Sequence, residues 1–281
     1  MLPTQSHLLP IVPVAVLKKH QVHEKYDNRF QACARLIQAI WREEQGLPIG
    51  IHHGRLGRKR RLGSLRSPAA AEAGRNFLTP AVAHYARRMI AYQEPGAMID
   101  ERRLMTNLLS SMCLSAHLAA PLAFDLDLAT RVIKRLLPAI DVQSVKSVLF
   151  EHSPGRQDPE LTGDRSAFDV AIVYVRQDGQ RGLLGLEIKF SESLQDPTPA
   201  ELNPRYDDLA EASGLFKEPA SALLRVNPLQ QLFREHLLAQ ATVMRRGAGP
   251  PKRPSQRRTS PSSRPPPIIP FSGAPISTPP T

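Results

Sequence analysis

The residues best able to do chemistry in this chain are Asp169, Glu187 and Lys189. Asp169 lies in Ser166–Arg176 (SAFDVAIVYVR), and Glu187 and Lys189 lie in Gly182–Phe190 (GLLGLEIKF), both with the texture of β-strands. Alternation along a strand puts Phe168, Val170, Ile172 and Tyr174 on one face, and Leu184, Leu186, Ile188 and Phe190 on one face of the next. If the two strands pair as a hairpin with their apolar faces on the same side, Asp169, Glu187 and Lys189 share the other side. Asp169 then sits opposite Glu187 or Lys189, about 5–6 Å away between Cα atoms. A two-residue Asp178-Gly179 turn would pair Asp169 with Ile188 instead, so the parity demands a longer loop or a bulge between Arg176 and Gly182. Two carboxylates so placed offer hard oxygen ligands to Mg²⁺ or Mn²⁺. Such an ion lowers the pKa of a bound water and neutralises charge on a phosphate. A lysine beside them can hold that water or stabilise the charge that develops. An isolated Glu-x-Lys is usually a solvated ion pair on a strand surface. The apolar runs on either side and the upstream acid set this one apart.

The elements needed to position these residues follow from the pattern. Val145–Phe150 reads as a preceding strand, closed by Ser153-Pro154-Gly155. Helices are expected at Glu24–Glu44, Pro80–Gln93, Asp100–Met112, Leu128–Leu137, Tyr206–Leu215 and Leu229–Met244. The first has Phe30, Leu36, Ile37, Ile40 and Trp41 as its apolar stripe, and the fourth has Asp127 as its N-cap. A Gly-punctuated basic loop, His52–Arg66, carries Arg55, Arg58, Lys59, Arg60, Arg61 and Arg66. The fold class is α/β: residues 1–20 a mobile leader, 21–112 a helical N-terminal region, 113–244 the core and 245–281 a disordered Pro/Arg/Ser-rich tail.

The order strand, Asp-bearing strand, Glu-x-Lys strand, helix resembles the core of the PD-(D/E)XK nucleases. Several stretches resemble more closely a bacterial family of candidate restriction endonucleases in that superfamily: Asn107–Met112 (NLLSSM), Phe150–Arg156 (FEHSPGR), Thr162–Asp169 (TGDRSAFD), Gly185–Leu194 (GLEIKFSESL) and Pro228–Leu232 (PLQQL). The resemblance covers roughly residues 40–240. It implies a restriction-endonuclease-like core, a mixed sheet with flanking helices, and hydrolysis of DNA phosphodiesters with Mg²⁺ or Mn²⁺. Asp169 and Glu187 match the metal-binding acids, and Lys189 the catalytic lysine. Glu151, at the end of the first strand, comes beside Asp169 if strands one and two are antiparallel, and is a candidate third metal ligand. Gln231 on the last helix could face the site, as a glutamine does in some of these nucleases.

Arg156 and Arg165 flank the loop between strands one and two and are candidate DNA contacts, as are Arg58 and Arg60 in the basic loop. His152 is a candidate ligand set against a simple hydrogen-bonding role. Asp100 and Glu101 could face the site, or cap their helix.

The chain has 281 residues and a formal charge of +11. Seven basic residues, no acid and 11 of the 27 prolines lie in Arg245–Thr281, leaving 30 basic against 26 acidic residues before it. The charge therefore says more about the tail than about a basic domain. Two cysteines, Cys33 and Cys113, exclude a disulfide scaffold and a Cys-based zinc site, and read as buried small residues in a reducing compartment. No apolar run is long enough to span a bilayer, and Lys18 and Lys19 follow the early apolar stretch instead of preceding it, unlike a signal peptide. A cytoplasmic protein without a membrane partner is expected, acting on DNA; a symmetric homodimer would suit two cuts on a duplex. The common core places a further strand after the last helix, and none is legible beyond Met244. That suggests a shift of reading frame near Arg245. The rival reading is a truncated, inactive remnant, or a DNA-binding or regulatory domain.

Overall fold

The computed structural model describes residues 9–54, 57–192 and 203–247. Residues 248–281 of the expected tail and Arg55 lie outside the described residues, whereas Arg245–Gly247, expected to open that tail, are the last residues of a helix. In chain order the elements are α1 (Val14–Lys19), α2 (Arg29–Glu44), β1 (Ile49–His53), β2 (Lys59–Arg66), α3 (Pro68–Glu72), α4 (Pro80–Ala91), α5 (Glu101–Thr106), α6 (Ser111–Phe124) and α7 (Leu126–Leu136). They continue with β3 (Ser144–His152), β4 (Phe168–Val175), β5 (Arg181–Leu186), α8 (Arg205–Ser213), a 3₁₀ turn (Ala222–Arg225) and α9 (Gln230–Gly247).

β3, β4 and β5 form an antiparallel meander in that order, and β1 and β2 form a separate antiparallel hairpin. The sheets are thus antiparallel among the described residues, not mixed. The larger one is covered on both faces. Val170, Ile172 and Tyr174 of β4 enter a cluster with Tyr85, Met112, Ala116, Ala120 and Ile133 from α4, α6 and α7. Ala171, of opposite parity, packs with Leu209, Phe233, Leu237 and Leu238 from α8 and α9. Helices over both faces bury β4 and fix its register, because a slip of one residue would exchange the two faces.

The connection between β4 and β5 is longer than two residues. Val175 pairs with Arg181, Arg176 N–H donates to Gln180 O at 2.8 Å, and Gly179 N–H donates to Arg176 O at 3.0 Å. Gly179 has φ +79°, the left-handed conformation that closes such a loop and that glycine adopts without penalty. Val170 pairs with Leu186, so one step further brings Asp169 alongside Glu187.

Several expectations need correction. The basic loop is a hairpin, with His52 paired to Arg60 and Ile51 to Arg61; its strands lack an apolar alternation and so resemble a loop in sequence. Residues 1–20 are not all leader: α1 occupies Val14–Lys19 and buries Leu17. The expected helix Asp100–Met112 is two helices, because Asp100 caps α5 by accepting from Arg103 N–H at 2.9 Å and α6 starts anew at Ser111. α6 is apolar nearly all round, which removes the stripe by which a surface helix is recognised. Asp125, not Asp127, caps α7, accepting from Leu128 N–H at 2.8 Å. On α2 the buried residues are Ala34, Ala39 and Arg42, whereas Ile37 is 64 % exposed. Cys113 is buried and Cys33 only partly so. Since Tyr85 and Phe150 belong to one cluster, the apolar core runs straight across residue 112.

Candidate active site

Glu151 is the penultimate residue of β3 and Asp169 the second of β4. Phe150 pairs with Val170 and His152 with Phe168, so the two acids face each other across the ladder. Glu151 has φ +49°, a left-handed backbone that costs a non-glycine residue about 1–2 kcal/mol. Strain of this kind gathers where a side chain must be aimed. Arg156 holds the turn in place: its Nη2 donates to the Glu151 carbonyl and its Nη1 to the Arg165 carbonyl at 3.3 Å.

β5 stops at Leu186, short of the expected Gly182–Phe190 strand, and Glu187 and Lys189 lie just beyond it. The cause is Asp169 itself. Its Oδ2 accepts the Ile188 N–H at 2.6 Å, so a carboxylate takes the bond that a strand partner would have made. Ile188 still packs on the first cluster, while Phe190 turns away to meet Phe30 edge-on, with ring centroids 6.4 Å apart. Glu192 secures this end of the segment. It accepts the Ser111 N–H at 2.9 Å, capping α6, and pairs with Arg103 of α5.

Lys189 Nζ lies 2.6 Å from Glu187 Oε1. Gln231 Nε2, from the first turn of α9, donates to the same oxygen at 2.6 Å and to Glu235 Oε1 at 3.0 Å. The structure therefore brings together Glu151, Asp169, Glu187, Lys189 and Gln231, and adds Glu235, one helical turn beyond Gln231. Nothing in the sequence singled out Glu235; its spacing of four from Gln231 was the available signal.

The electrostatics are those of crowded acids. Burial, together with Asp169 and Glu187 nearby, pushes Glu151 up to about 8. Burial and Glu187 also raise Asp169, against the Ile188 N–H, Lys189 and Arg103. Burial and Glu187 raise Glu235 as well. Lys189 loses some basicity to burial, but its bond and attraction to Glu187 outweigh this and raise it, so it stays cationic.

Among the described residues no three His, Cys, Asp or Glu side chains form a ready-made metal cage. The donor set nonetheless fits a hydrated divalent ion. Mg²⁺ keeps several waters and takes only one or two carboxylates from the protein. Asp169 Oδ1 accepts no hydrogen bond among the described residues, and buried acids driven toward protonation by one another are the groups a cation would stabilise.

The candidate DNA contacts separate. Arg165 is exposed, and its guanidinium has no partner among the described residues. Arg58 is exposed likewise. Arg60 pairs with Glu24. Arg156, bound to two carbonyls and 3.5 Å from Glu94, is a strap inside the protein, and a phosphate contact would require releasing those bonds. Arg66 is buried against Trp41, 4.6 Å from the ring centroid, so it too is unavailable to a strand. His152 is held by Glu94. Burial alone would raise Glu94, but His152, the Ser153 N–H and Arg156 together hold it below its usual range. Asp100 is a helix cap, and Glu101 lies beside Glu72, Arg87 and Met105, along a groove that none of the clustered acids lines.

No single described helix is long and apolar enough to cross a membrane. Comparison with family models gives a match to the PD-(D/E)XK nuclease superfamily over residues 25–251. No curated protein and no solved structure matches.

Proposed function

The chain belongs to the PD-(D/E)XK nuclease superfamily, and on that footing we propose that it hydrolyses DNA phosphodiester bonds with Mg²⁺ or Mn²⁺, as a restriction-type endonuclease. The observation that carries this reading is the convergence of Asp169, Glu187 and Lys189 at one end of the sheet, with Lys189 2.6 Å from Glu187.

Asp169 and Glu187, with Glu151, would hold the divalent ion. When bound, it supplies charge neutralisation at the phosphate and a water of lowered pKa. Lys189, kept cationic by Glu187, lies where it can orient the attacking water or offset charge on a non-bridging phosphate oxygen. Gln231 fixes the Glu187 rotamer by gripping Oε1, and the Asp169–Ile188 bond fixes the height of the Glu-x-Lys segment against β4. Those two constraints hold acid and lysine in one geometry before substrate arrives, which is where catalytic advantage of this type arises. Arg165 and Arg58, exposed and unpaired among the described residues, remain as cations for the DNA backbone, and a symmetric dimer would suit a double-strand cut.

The test is plasmid nicking by the full chain with Mg²⁺ or Mn²⁺, beside Lys189→Ala. Metal-dependent nicking by the wild type alone supports the assignment. Equal degradation by both proteins would show that the activity comes from elsewhere.

A further inference from the structure

Next to the clustered acids lies a pocket of about 370 Å³ that shares Gln231 and Glu235 with them and is otherwise lined by Arg165, Arg234, Asp164 and Tyr206, among others. Its volume is within the range of ligand clefts. Two arginines line it from different elements: Arg165 from the loop before β4, and Arg234 from α9.

Neither guanidinium has its hydrogen bonds filled among the described residues. Arg165 makes no side-chain bond among the described residues. Arg234 Nε is buried and has no hydrogen-bond partner among the described residues, and its Nη1 lies 3.9 Å from Asp164 Oδ2, an ion pair too long for a hydrogen bond. Asp164 cannot offer more. Its Oδ1 takes the Thr162 hydroxyl at 2.8 Å and the Ser166 N–H at 2.9 Å, while Oδ2 takes the Ser166 hydroxyl at 2.8 Å and the Tyr206 hydroxyl. An unpaired buried donor costs about 1–3 kcal/mol, and planar guanidiniums match phosphate oxygens two at a time.

We propose that this pocket seats a backbone phosphate of the nucleic-acid strand, next to the one cleaved, with Arg165 and Arg234 as its clamp. The inference rests on the nuclease reading and adds the direction of the strand, past Gln231 and Glu235 toward the loop before β4.

The experiment uses the full chain with Lys189→Ala, to prevent cleavage, and a fluorescein-labelled DNA duplex whose affinity is measured by anisotropy across salt concentrations. Arg165→Ala and Arg234→Gln are each expected to weaken binding about five- to tenfold at low salt. Each should also reduce the slope of log Kd against log salt by about 1, independently of DNA sequence. Arg165 is exposed, so its variant reads the pocket even where Arg234→Gln disturbs α9. Unchanged affinity and slope for Arg165→Ala, while the otherwise wild-type chain still nicks plasmid, would overturn the subsite and leave the nuclease reading standing. Absence of both nicking and DNA binding in the wild type would overturn the nuclease reading and the subsite with it. Inorganic phosphate supplies the last arm: calorimetric binding lost in Arg165→Ala, with DNA affinity unaffected, would show a site for free anion and overturn the strand assignment.

Discussion

Lys189 is defined by what touches it. Partial burial alone would lower its basicity, but Glu187 at 2.6 Å keeps it charged. A cation held in place against a developing negative charge is worth several kcal/mol in a water-poor site. Lys189→Ala is therefore expected to lower plasmid cleavage by about 10³-fold or more, with an unchanged circular-dichroism spectrum. Arg156 illustrates the opposite case, a charge spent on architecture. It bonds the carbonyls of Glu151 and Arg165 and so holds the turn that aims Glu151. Arg156→Lys cannot reproduce that fork. It is expected to cost about 1–3 kcal/mol in urea denaturation, and to reduce cleavage even though the charge is kept.

At the scale of the element, the end of β5 is set by contacts across the sheet. Gly185 lies under the Phe168 ring, and a Cβ there would come within 2.3–2.4 Å of ring carbons. Neither partner can yield, because Phe168 is itself buried in the cluster beneath α8 and α9. Gly185→Ala is expected to destabilise the fold by about 1–3 kcal/mol, seen as a lower urea midpoint at constant slope. Phe168 was expected on the face of Val170 and Ile172, yet it packs with Ala171 on the other. It is the first residue of β4, where the alternation has not yet taken hold.

For the whole molecule, the crowded acids make stability depend on pH. Glu151 ordinarily titrates near 4.5 and is raised to about 8 in the fold. The folded state thus binds a proton that the unfolded state has released, and stability must fall as pH rises through that interval. In EDTA, the folded chain is expected to be most stable near pH 5. It should lose on the order of 2–4 kcal/mol by pH 8, with Asp169 and Glu235 acting in the same direction. Thermal melts across this range check it. Glu151→Gln should flatten the profile, and Mn²⁺ should restore stability at pH 8 by replacing the lost proton with a cation. A steady rise in stability toward pH 8 without metal would contradict the crowding.

How far the site could be read beforehand follows from which signals are local. The period-two alternation in Ser166–Arg176 and Gly182–Phe190 is written in the chain. With the rule that apolar faces lie together, it placed Asp169 opposite Glu187 or Lys189 and required a longer loop or a bulge in place of a two-residue Asp178-Gly179 turn; the register that selects Glu187 is a property of the folded sheet. Gln231 entered through resemblance. The alternation could not reveal that β5 ends before Glu187, since that depends on Asp169 capturing the backbone N–H of Ile188, distant in sequence. Nor could it reveal α6, which is apolar nearly all round and so shows no single stripe, or the β1–β2 hairpin, whose strands carry arginine and histidine where an alternating apolar face would be. The arginines were hardest of all. Arg58, Arg66, Arg156 and Arg165 look alike in one dimension, but Arg66 is stacked in the interior, Arg156 is bound to carbonyls, and Arg58 and Arg165 are exposed and unpaired among the described residues. Charge is a property of the residue, whereas availability of that charge depends on its neighbours in space, which only the folded chain supplies.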